Sequence, residues 1–275
     1  MILGLSSPLA YSSAKEWAEK HKKLGTRAIN FQLTCRDSEE KVDEFVKEAK
    51  EAGLFFAEVG IWNNMLSPNK EEREKNIEYA IGQLKLADKI GAKCCVNVAG
   101  SKYAKTWDGP AKENFSKEAF NETVEVIQYV IDQAKPTNTK FAIESMPWMI
   151  PTGPDEYLKL IKAVDREAFG AHLDVVNMIN SADRYFGSDD FIKECFDKLG
   201  DKILSCHLKD IHLAGYTFAL REVPCGQGEL NLELYAKLAS EINEDMPMII
   251  EHLHSDEEYL ESLSYVKERL KDYIK

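Results

Sequence analysis

The chain has 275 residues, of which 44% are hydrophobic and 30% charged, and its formal net charge at pH 7 is −12. This composition is typical of a folded globular protein, and the acidic balance argues against nucleic acid as a partner. No apolar run approaches the roughly 20 residues that a membrane-spanning helix needs, and the N-terminus does not resemble a signal peptide. We therefore expect a cytoplasmic protein with no membrane contact and a small-molecule substrate. Its six cysteines form no CxxC pair, so we expect free thiols.

Predicted strands and helices alternate along the chain. The helices are indicated by apolar residues three or four positions apart near residues 13–24, 38–52, 68–87, 120–131, from 154, 189–199, up to 242 and 255–266. Two long loops are predicted at Ala99–Phe115 and Ile211–Leu230. The eight predicted strands are Met1–Ser6, Arg27–Leu33, Leu54–Ile61, Ala92–Val98, Lys140–Ser145, Phe169–Asp174, Lys202–Asp210 and Met246–Glu251.

Eight βα units without a linker predict an α/β fold, a single TIM (β/α)8 barrel over residues 1–275. A doubly wound open sheet is the alternative, but no GxGxxG fingerprint follows the first strand. In a TIM barrel the active site lies at the C-terminal ends of the strands and in the loops that follow them.

The last four predicted strands each end in a residue that can bind a metal ion. They deliver Glu144, Asp174, His207 and Glu251 to what we expect to be one rim. Three converging carboxylates repel one another unless a cation lies between them. Oxygen and imidazole ligands without thiolate suit Mn²⁺, Mg²⁺, Co²⁺ or Fe²⁺. We expect one divalent ion, with Mn²⁺ preferred and Mg²⁺ or Co²⁺ as alternatives. The competing interpretation is that each acid pairs with a neighbouring Lys or Arg.

The segments AIES, HLDVVN, CHLKD, CGQGEL and MIIEH resemble the motifs of the xylose isomerase-like TIM barrels, in particular the sugar phosphate isomerase/epimerase group. The resemblance extends over the whole chain. It implies that Glu144 and Glu251 are both metal ligands and the catalytic acid/base pair, whereas Asp174 and His207 are ligands only. Ketose 3-epimerases of this group carry Asp-x-x-His, and this chain has Asn177 in place of that histidine.

The resemblance implies a metal-dependent isomerase or epimerase of a keto sugar or related carbohydrate, working by proton transfer through a metal-stabilised enediolate. The alternative enzyme is a metal-dependent lyase or deglycosidase of 3-keto glycosides, because proton abstraction beside a carbonyl also begins an elimination. An endonuclease IV-like DNA repair enzyme and a non-catalytic sugar-binding protein are less favoured. The first of these needs more histidines at the rim and a basic groove. A homo-oligomer is compatible with the sequence.

Further substrate-binding residues are expected around the same rim. The indole rings at positions 62, 107 and 148 lie in predicted βα loops and can stack on sugar C–H surfaces. An arginine in the second long loop can bind an anionic substituent. The predicted substrate-binding set is Glu58, Asn97, Trp107, Trp148, Asn177, Lys209 and Arg221.

Four residues carry further expectations. Lys209 and Asp210 fit equally well beside the metal ligands or in an ordinary ion pair at the strand end. His172 lies two residues before Asp174 and therefore faces the same side of its strand, where we expect a core or supporting role. His21 lies in a predicted helix and is expected to be solvated.

Overall fold

A closed barrel of parallel strands forms the centre of the molecule in the computed structural model, which describes residues 1–6, 10–103, 105–215 and 218–275. Its eight strands are β1 (Ile2–Leu5), β2 (Ala28–Phe31), β3 (Phe55–Gly60), β4 (Cys94–Val98), β5 (Lys140–Glu144), β6 (Phe169–Leu173), β7 (Ile203–Leu208) and β10 (Pro247–Ile250). The order around the barrel is β1-β10-β7-β6-β5-β4-β3-β2, with every pair parallel. The predicted TIM barrel is confirmed.

Ten helices in the described residues connect and cover these strands. They are α1 (Ala14–Leu24), α2 (Glu39–Glu51), α3 (Lys70–Ile90), α4 (Lys117–Ala134), α5 (Pro154–Val164), α6 (Val175–Met178), α7 (Ala182–Phe186), α8 (Ser188–Leu199), α9 (Leu232–Ile242) and α10 (Asp256–Arg269). Several begin where a side-chain oxygen accepts a backbone N–H three residues later, as Ser13 and Ser255 do for α1 and α10. The short helices α6 and α7 were not predicted. None of the helices in the described residues is long and apolar enough to span a membrane.

The predicted loop Ile211–Leu230 instead contains an antiparallel hairpin of β8 (Asp210–Ala214) and β9 (Ala219–Val223). The Asp210 carboxylate fixes the base of this hairpin, because it accepts the backbone N–H groups of Ile211, Gly226, Gly228 and Leu230 at 2.9–3.1 Å. A Cβ atom at position 228 would lie 2.1 Å from Asp210 Oδ1, so this close approach requires glycine. Asp210 therefore anchors a loop and does not pair with Lys209.

Hydrophobic side chains fill the space between the barrel and its helices in two large clusters. Inside the barrel the apolar clusters are small, and one of them consists of Cys94, Val96, Ala142 and Leu204. Towards the C-terminal ends of the strands the buried interior becomes polar, with Glu58, His172 and His207 at 0–1% exposure. All six cysteines are free, and Cys35 is the exposed one. The fold thus concentrates buried ionisable groups at one end of the barrel.

Candidate metal centre

The ends of β5, β6, β7 and β10 bring the four predicted ligands together. One ligand atom from each of Glu144, Asp174, His207 and Glu251 lies within 4.8 Å of all the others. The Nδ1 atom of His207 is 3.1 Å from Glu144 Oε1, 3.0 Å from Glu251 Oε1 and 3.7 Å from Asp174 Oδ2. Because β10, β7, β6 and β5 are consecutive in the barrel, their C-terminal ends form one continuous arc.

Local hydrogen bonds orient two of these carboxylates. Asp174 is the N-cap of α6, where its Oδ1 accepts the backbone N–H of Asn177 at 3.0 Å. The side-chain amide of Asn177 then donates to Asp174 Oδ2 at 3.1 Å and to Glu144 Oε1 at 3.0 Å. Asn177 therefore ties the β5 and β6 ligands together with a group that stays neutral at any ordinary pH.

Lys209 lies beside the ligands. Its ammonium group is 2.8 Å from Asp174 Oδ2 and 2.7 Å from Glu251 Oε1, and the residue is only 5% exposed. Burial by itself lowers the pKa of Lys209, but the nearby Asp174 and Glu251 carboxylates outweigh burial and raise that pKa well above its ordinary value. Of the two roles that the sequence allowed for Lys209, the structure supports the one beside the metal ligands.

The two glutamates experience different electrostatic surroundings. Burial raises the pKa of Glu144 to about 7, although His207 opposes this shift. Burial would also raise the pKa of Glu251, but His207 and Lys209 together lower it. His207 responds in the opposite direction: burial lowers its pKa, and the surrounding carboxylates of Glu251 and Glu144 raise it well above the ordinary value. Protonated His207 and Lys209 thus offset part of the negative charge of the three carboxylates.

This donor set fits a hard or borderline divalent cation. Three carboxylates and one imidazole nitrogen, with no thiolate, are the ligands that suit Mn²⁺, Mg²⁺ or Co²⁺. A bound cation would face the same carboxylate oxygens that His207 and Lys209 now approach. Metal binding would therefore replace a proton on His207 and weaken the contact of Lys209 with the ligands.

Two adjoining cavities open at this end of the barrel. The first has a volume of about 190 Å³, and its lining includes Glu144, Glu251, Lys209, Trp62 and Trp107. The second, of about 470 Å³, shares Met146, Asn177 and His252 with the first. Its remaining lining is largely apolar and comes from the loops after β5 and β6 and from the hairpin: Pro147, Trp148, Ile179, Ile211, Phe218 and Leu220.

A sequence model of the family described as "Xylose isomerase-like TIM barrel" matches residues 18–269. The chain belongs to this family. No curated protein sequence matches it.

Solved structures share the fold at low sequence identity. A xylose isomerase-like TIM barrel protein from Mycobacterium smegmatis, in complex with magnesium, is 18% identical with a TM-score of 0.68, covering 99% of this chain and 95% of its own. The D-psicose 3-epimerase of Clostridium cellulolyticum H10, solved with D-tagatose, is 16% identical with a TM-score of 0.70, covering 100% and 99%. A probable 3-DHS dehydratase from Bacillus anthracis is 17% identical with a TM-score of 0.72, covering 98% and 99%. These likenesses establish the fold alone.

The predicted substrate-binding residues divide into those at the cavities and those away from them. Trp107 lines the first cavity, and Trp148 lines the second and donates its indole N–H to the backbone carbonyl of Asp108. Asn177 and Lys209 also line the first cavity while contacting the ligands. Neither Glu58, Asn97 nor Arg221 is among the described residues that line the two cavities.

These three residues are kept from the cavities for different reasons. Glu58 is completely buried within the barrel, below the ligands. Asn97 is also completely buried, and it exchanges hydrogen bonds of 3.1 and 3.2 Å with the backbone of Asn63. Arg221 is exposed on β9, whereas its neighbours Leu220 and Glu222 line the second cavity, as the two-residue period of a strand requires.

Several cavity residues were not predicted from the sequence, among them Met146 and His252. Met146 lies two positions after Glu144, and the two-residue period of β5 was the signal that could have indicated it. His252 is exposed and has a positive φ of 62°, and its ring pairs with Glu222 at the border of both cavities.

Proposed function

We propose that this chain is a divalent-metal-dependent isomerase or epimerase that moves a proton on a keto sugar or a related carbohydrate. The observation that supports this most directly is the pair of glutamates at the first cavity. Glu144 and Glu251 come from β5 and β10, which are separated in the barrel by β6 and β7. Both line the cavity, so a substrate carbon between them can meet a carboxylate on each side.

Glu144, Asp174, His207 and Glu251 would hold the ion, and Mn²⁺ is the preferred candidate. When bound, a divalent ion polarises a carbonyl group and acidifies the neighbouring C–H bond. One of the two glutamates then removes the proton from that carbon, and the other returns a proton to its opposite face. Asn177 holds the carboxylate of Glu144 in place, and Lys209 does the same for Glu251. Trp62 and Trp107 cover the cavity with apolar rings, which exclude water and can stack on a sugar ring.

Turnover in D₂O tests this proposal. The purified protein, loaded with Mn²⁺, is offered a panel of ketoses and their phosphates, and the products are analysed by NMR for deuterium at the carbon beside the carbonyl. Glu144→Gln and Glu251→Gln should keep the ion and lower kcat by roughly 10²–10⁴, the usual contribution of a positioned general base. Glu257→Gln, on the exposed first turn of α10, is the matched control and should be as active as the wild type. Product free of deuterium, together with full activity of both site variants, would overturn the proposal.

A second candidate is an elimination on a 3-keto glycoside, and the second cavity favours it. A volume of about 470 Å³ lies within the range of roughly 300–1,000 Å³ that accommodates drug-sized ligands, whereas the first cavity is smaller than that range. The largely apolar lining suits an aglycone better than a second sugar. The related structure of a probable 3-DHS dehydratase is compatible with elimination chemistry in this fold.

A 3-keto glycoside with a chromogenic aromatic aglycone separates the two candidates. Release of the aglycone with Mn²⁺ present would identify elimination, and recovery of an epimerised but intact glycoside would identify proton return. If the second cavity holds the aglycone, Trp148→Ala should raise KM for the glycoside several-fold and leave KM for a free ketose unchanged. Equal effects on both substrates would remove the argument from the second cavity.

A further inference from the structure

A second group of ionisable side chains lies directly beneath the metal centre. Glu58 on β3, His172 on β6 and His207 on β7 are each at most 1% exposed. Glu58 Oε2 is 3.5 Å from His207 Nε2, and Glu58 Oε1 is 3.3 Å from His172 Nδ1. Within the described part of the chain, neither oxygen has a hydrogen-bond partner of good geometry, and His172 Nε2 also lacks one. A completely buried carboxylate is costly, so these two histidines are what compensates it.

His207 therefore lies between two sets of carboxylates. Its Nδ1 atom faces the carboxylates of the metal centre, while its Nε2 atom faces Glu58. The ring of His172 packs edge-on against the ring of His207, with centroids 4.0 Å apart, and His172 Nδ1 is 2.5 Å from Ser205 Oγ. The orientation of the His207 imidazole is thus restricted from below as well as from above.

We propose that Glu58 is a positioning residue that accepts the Nε2–H of His207 and so keeps the Nδ1 lone pair free for a metal ion. A neutral imidazole carries its proton on one of two nitrogens, and a carboxylate beside Nε2 keeps the proton there. Carboxylate partners of this kind commonly orient histidine ligands, and their loss weakens metal affinity by roughly 10–100-fold. This inference rests on the metal centre of the proposed function.

The same three residues could in principle hold a second cation, since one ligand atom from each lies within 4.8 Å of the others. That arrangement needs His207 to lose both ring protons and to bind two ions through opposite nitrogens. It also needs an ion to reach a group that is closed to solvent. A hydrogen bond from His207 needs neither, so the positioning role is the one that the geometry favours.

Glu58→Gln tests the proposal, because it preserves the shape of the side chain, removes the charge and allows the amide to donate to Nε2. Titration calorimetry with Mn²⁺ alone should show one ion per chain in the wild type and a dissociation constant raised roughly 10–100-fold in the variant. The urea midpoint of the metal-free variant should be no lower than that of the wild type, since a buried charge is removed. Glu122→Gln is the matched control: this glutamate pairs with Lys102 and Arg73 away from the site, and its loss should leave the Mn²⁺ affinity unchanged.

Nitrogen-15 NMR of the histidine rings provides a readout that a purely structural role would not move. The wild type loaded with diamagnetic Mg²⁺ should show His207 protonated at Nε2. At a pH high enough to make the metal-free ring neutral, Glu58→Gln should shift that ring towards the Nδ1-protonated form. An unchanged Mn²⁺ affinity with an unchanged tautomer would overturn the proposal, and so would two Mn²⁺ ions per chain. A wild type that binds no divalent ion would contradict the proposed function, and the tautomer of the metal-free ring would still decide the role of Glu58. If no sugar substrate were found, the Mn²⁺ affinity and the tautomer of His207 would still test the role of Glu58.

Discussion

At the scale of single residues, His207 occupies a central position in the candidate metal centre, because its Nδ1 atom lies within 3.7 Å of the carboxylates of Glu144, Asp174 and Glu251. We therefore expect His207→Ala and Asp174→Ala to lose the bound divalent ion, because each removes one of four ligand atoms. Elemental analysis after Mn²⁺ loading and gel filtration measures this directly. His212→Ala, an exposed histidine on β8, should keep about one ion per chain, and full occupancy in both site variants would show the ligand assignment to be wrong.

The convergence of these four side chains could be predicted because it follows from topology. A residue at the end of a parallel strand lies at the rim of the barrel. Strand β5 ends in Glu144, β6 and β10 end just before Asp174 and Glu251, and His207 lies one residue before the end of β7. The depth of residues within a strand could not be predicted in the same way. Glu58 lies two residues before the end of β3, and β2 pairs with β3 through an irregular register. The stagger between neighbouring strands sets how deep such a side chain lies in the barrel, and a single sequence does not reveal this stagger.

At the scale of elements, the loop after β4 carries Trp107 to the cavity. Asn114 accepts the backbone N–H of Lys102 at 2.8 Å, and Asn64 donates to the carbonyl of Ser101 at 2.7 Å, so the loop is fixed at both of its ends. Trp107 lines the first cavity and is 38% exposed. If the proposed function is correct, Trp107 contributes to substrate binding more than to catalysis.

We expect Trp107→Ala to raise KM several-fold while lowering kcat less, because it removes an apolar surface that contacts the ground state and the transition state alike. Arg221→Ala is the matched control from the other long loop, since its side chain is exposed and outside both cavities. Steady-state kinetics on the same substrate measures both variants. If Trp107→Ala were kinetically indistinguishable from Arg221→Ala, the loop after β4 would have a packing role only.

The hairpin β8–β9 is a further element that the sequence did not reveal. Strand β9 does not alternate between apolar and polar residues, and the Asp210 carboxylate that fixes the base of the hairpin accepts backbone amides as far away as that of Leu230. Such long-range hydrogen bonds leave no local periodicity. The consequence for the site is large, because this hairpin contributes Ile211, Leu220 and Glu222 to the second cavity.

Helix α1 contains a buried histidine that was expected in solvent. His21 is 6% exposed, and its Nδ1 atom lies 3.0 Å from Thr26 Oγ1. Burial lowers the pKa of His21 to about 4, against about 6.5 for an unperturbed histidine. The helix C-terminus would favour the protonated ring by up to about 2 kcal/mol in a favourable geometry, and desolvation outweighs it here. The sequence predicted that His21 lies in a helix, but it did not show that the turn at Thr26 covers the imidazole ring.

This histidine should make stability depend on pH. The folded pKa lies below the unfolded pKa, so between pH 6.5 and about 4 the unfolded chain binds more protons and stability falls as the pH falls. Between pH 7 and pH 4.5, the unfolding free energy of the wild type should fall by about 2–3 kcal/mol more than that of His21→Gln. Urea unfolding at both pH values measures the difference. His254→Gln, at an exposed position, should behave as the wild type, and parallel pH dependence in His21→Gln would contradict the assignment.

At the scale of the whole molecule, barrel closure places Glu144, Asp174 and Glu251 at one end of the fold. The topology brings four consecutive strand ends into one arc, and the carboxylates there repel one another unless cations lie among them. Lys209 and His207 provide part of this compensation. Because the ligands are distributed over residues 144–251, the unfolded chain holds no preformed site, and a bound ion therefore favours the folded state.

Removal of the ion should accordingly lower the thermal stability of the whole barrel. An ion that binds the folded chain only, at a free concentration of 100 times its dissociation constant, stabilises it by about 2.7 kcal/mol, which corresponds to a rise in Tm of about 5–10 °C for a domain of roughly this size. Differential scanning calorimetry in Mn²⁺ and in excess EDTA measures the shift. Asp174→Ala should show the same Tm in both buffers, because its site no longer holds the ion. A wild-type Tm that is identical with Mn²⁺ and with EDTA would mean that Lys209 and His207 alone compensate the carboxylates, and that the chain uses no divalent ion for its stability.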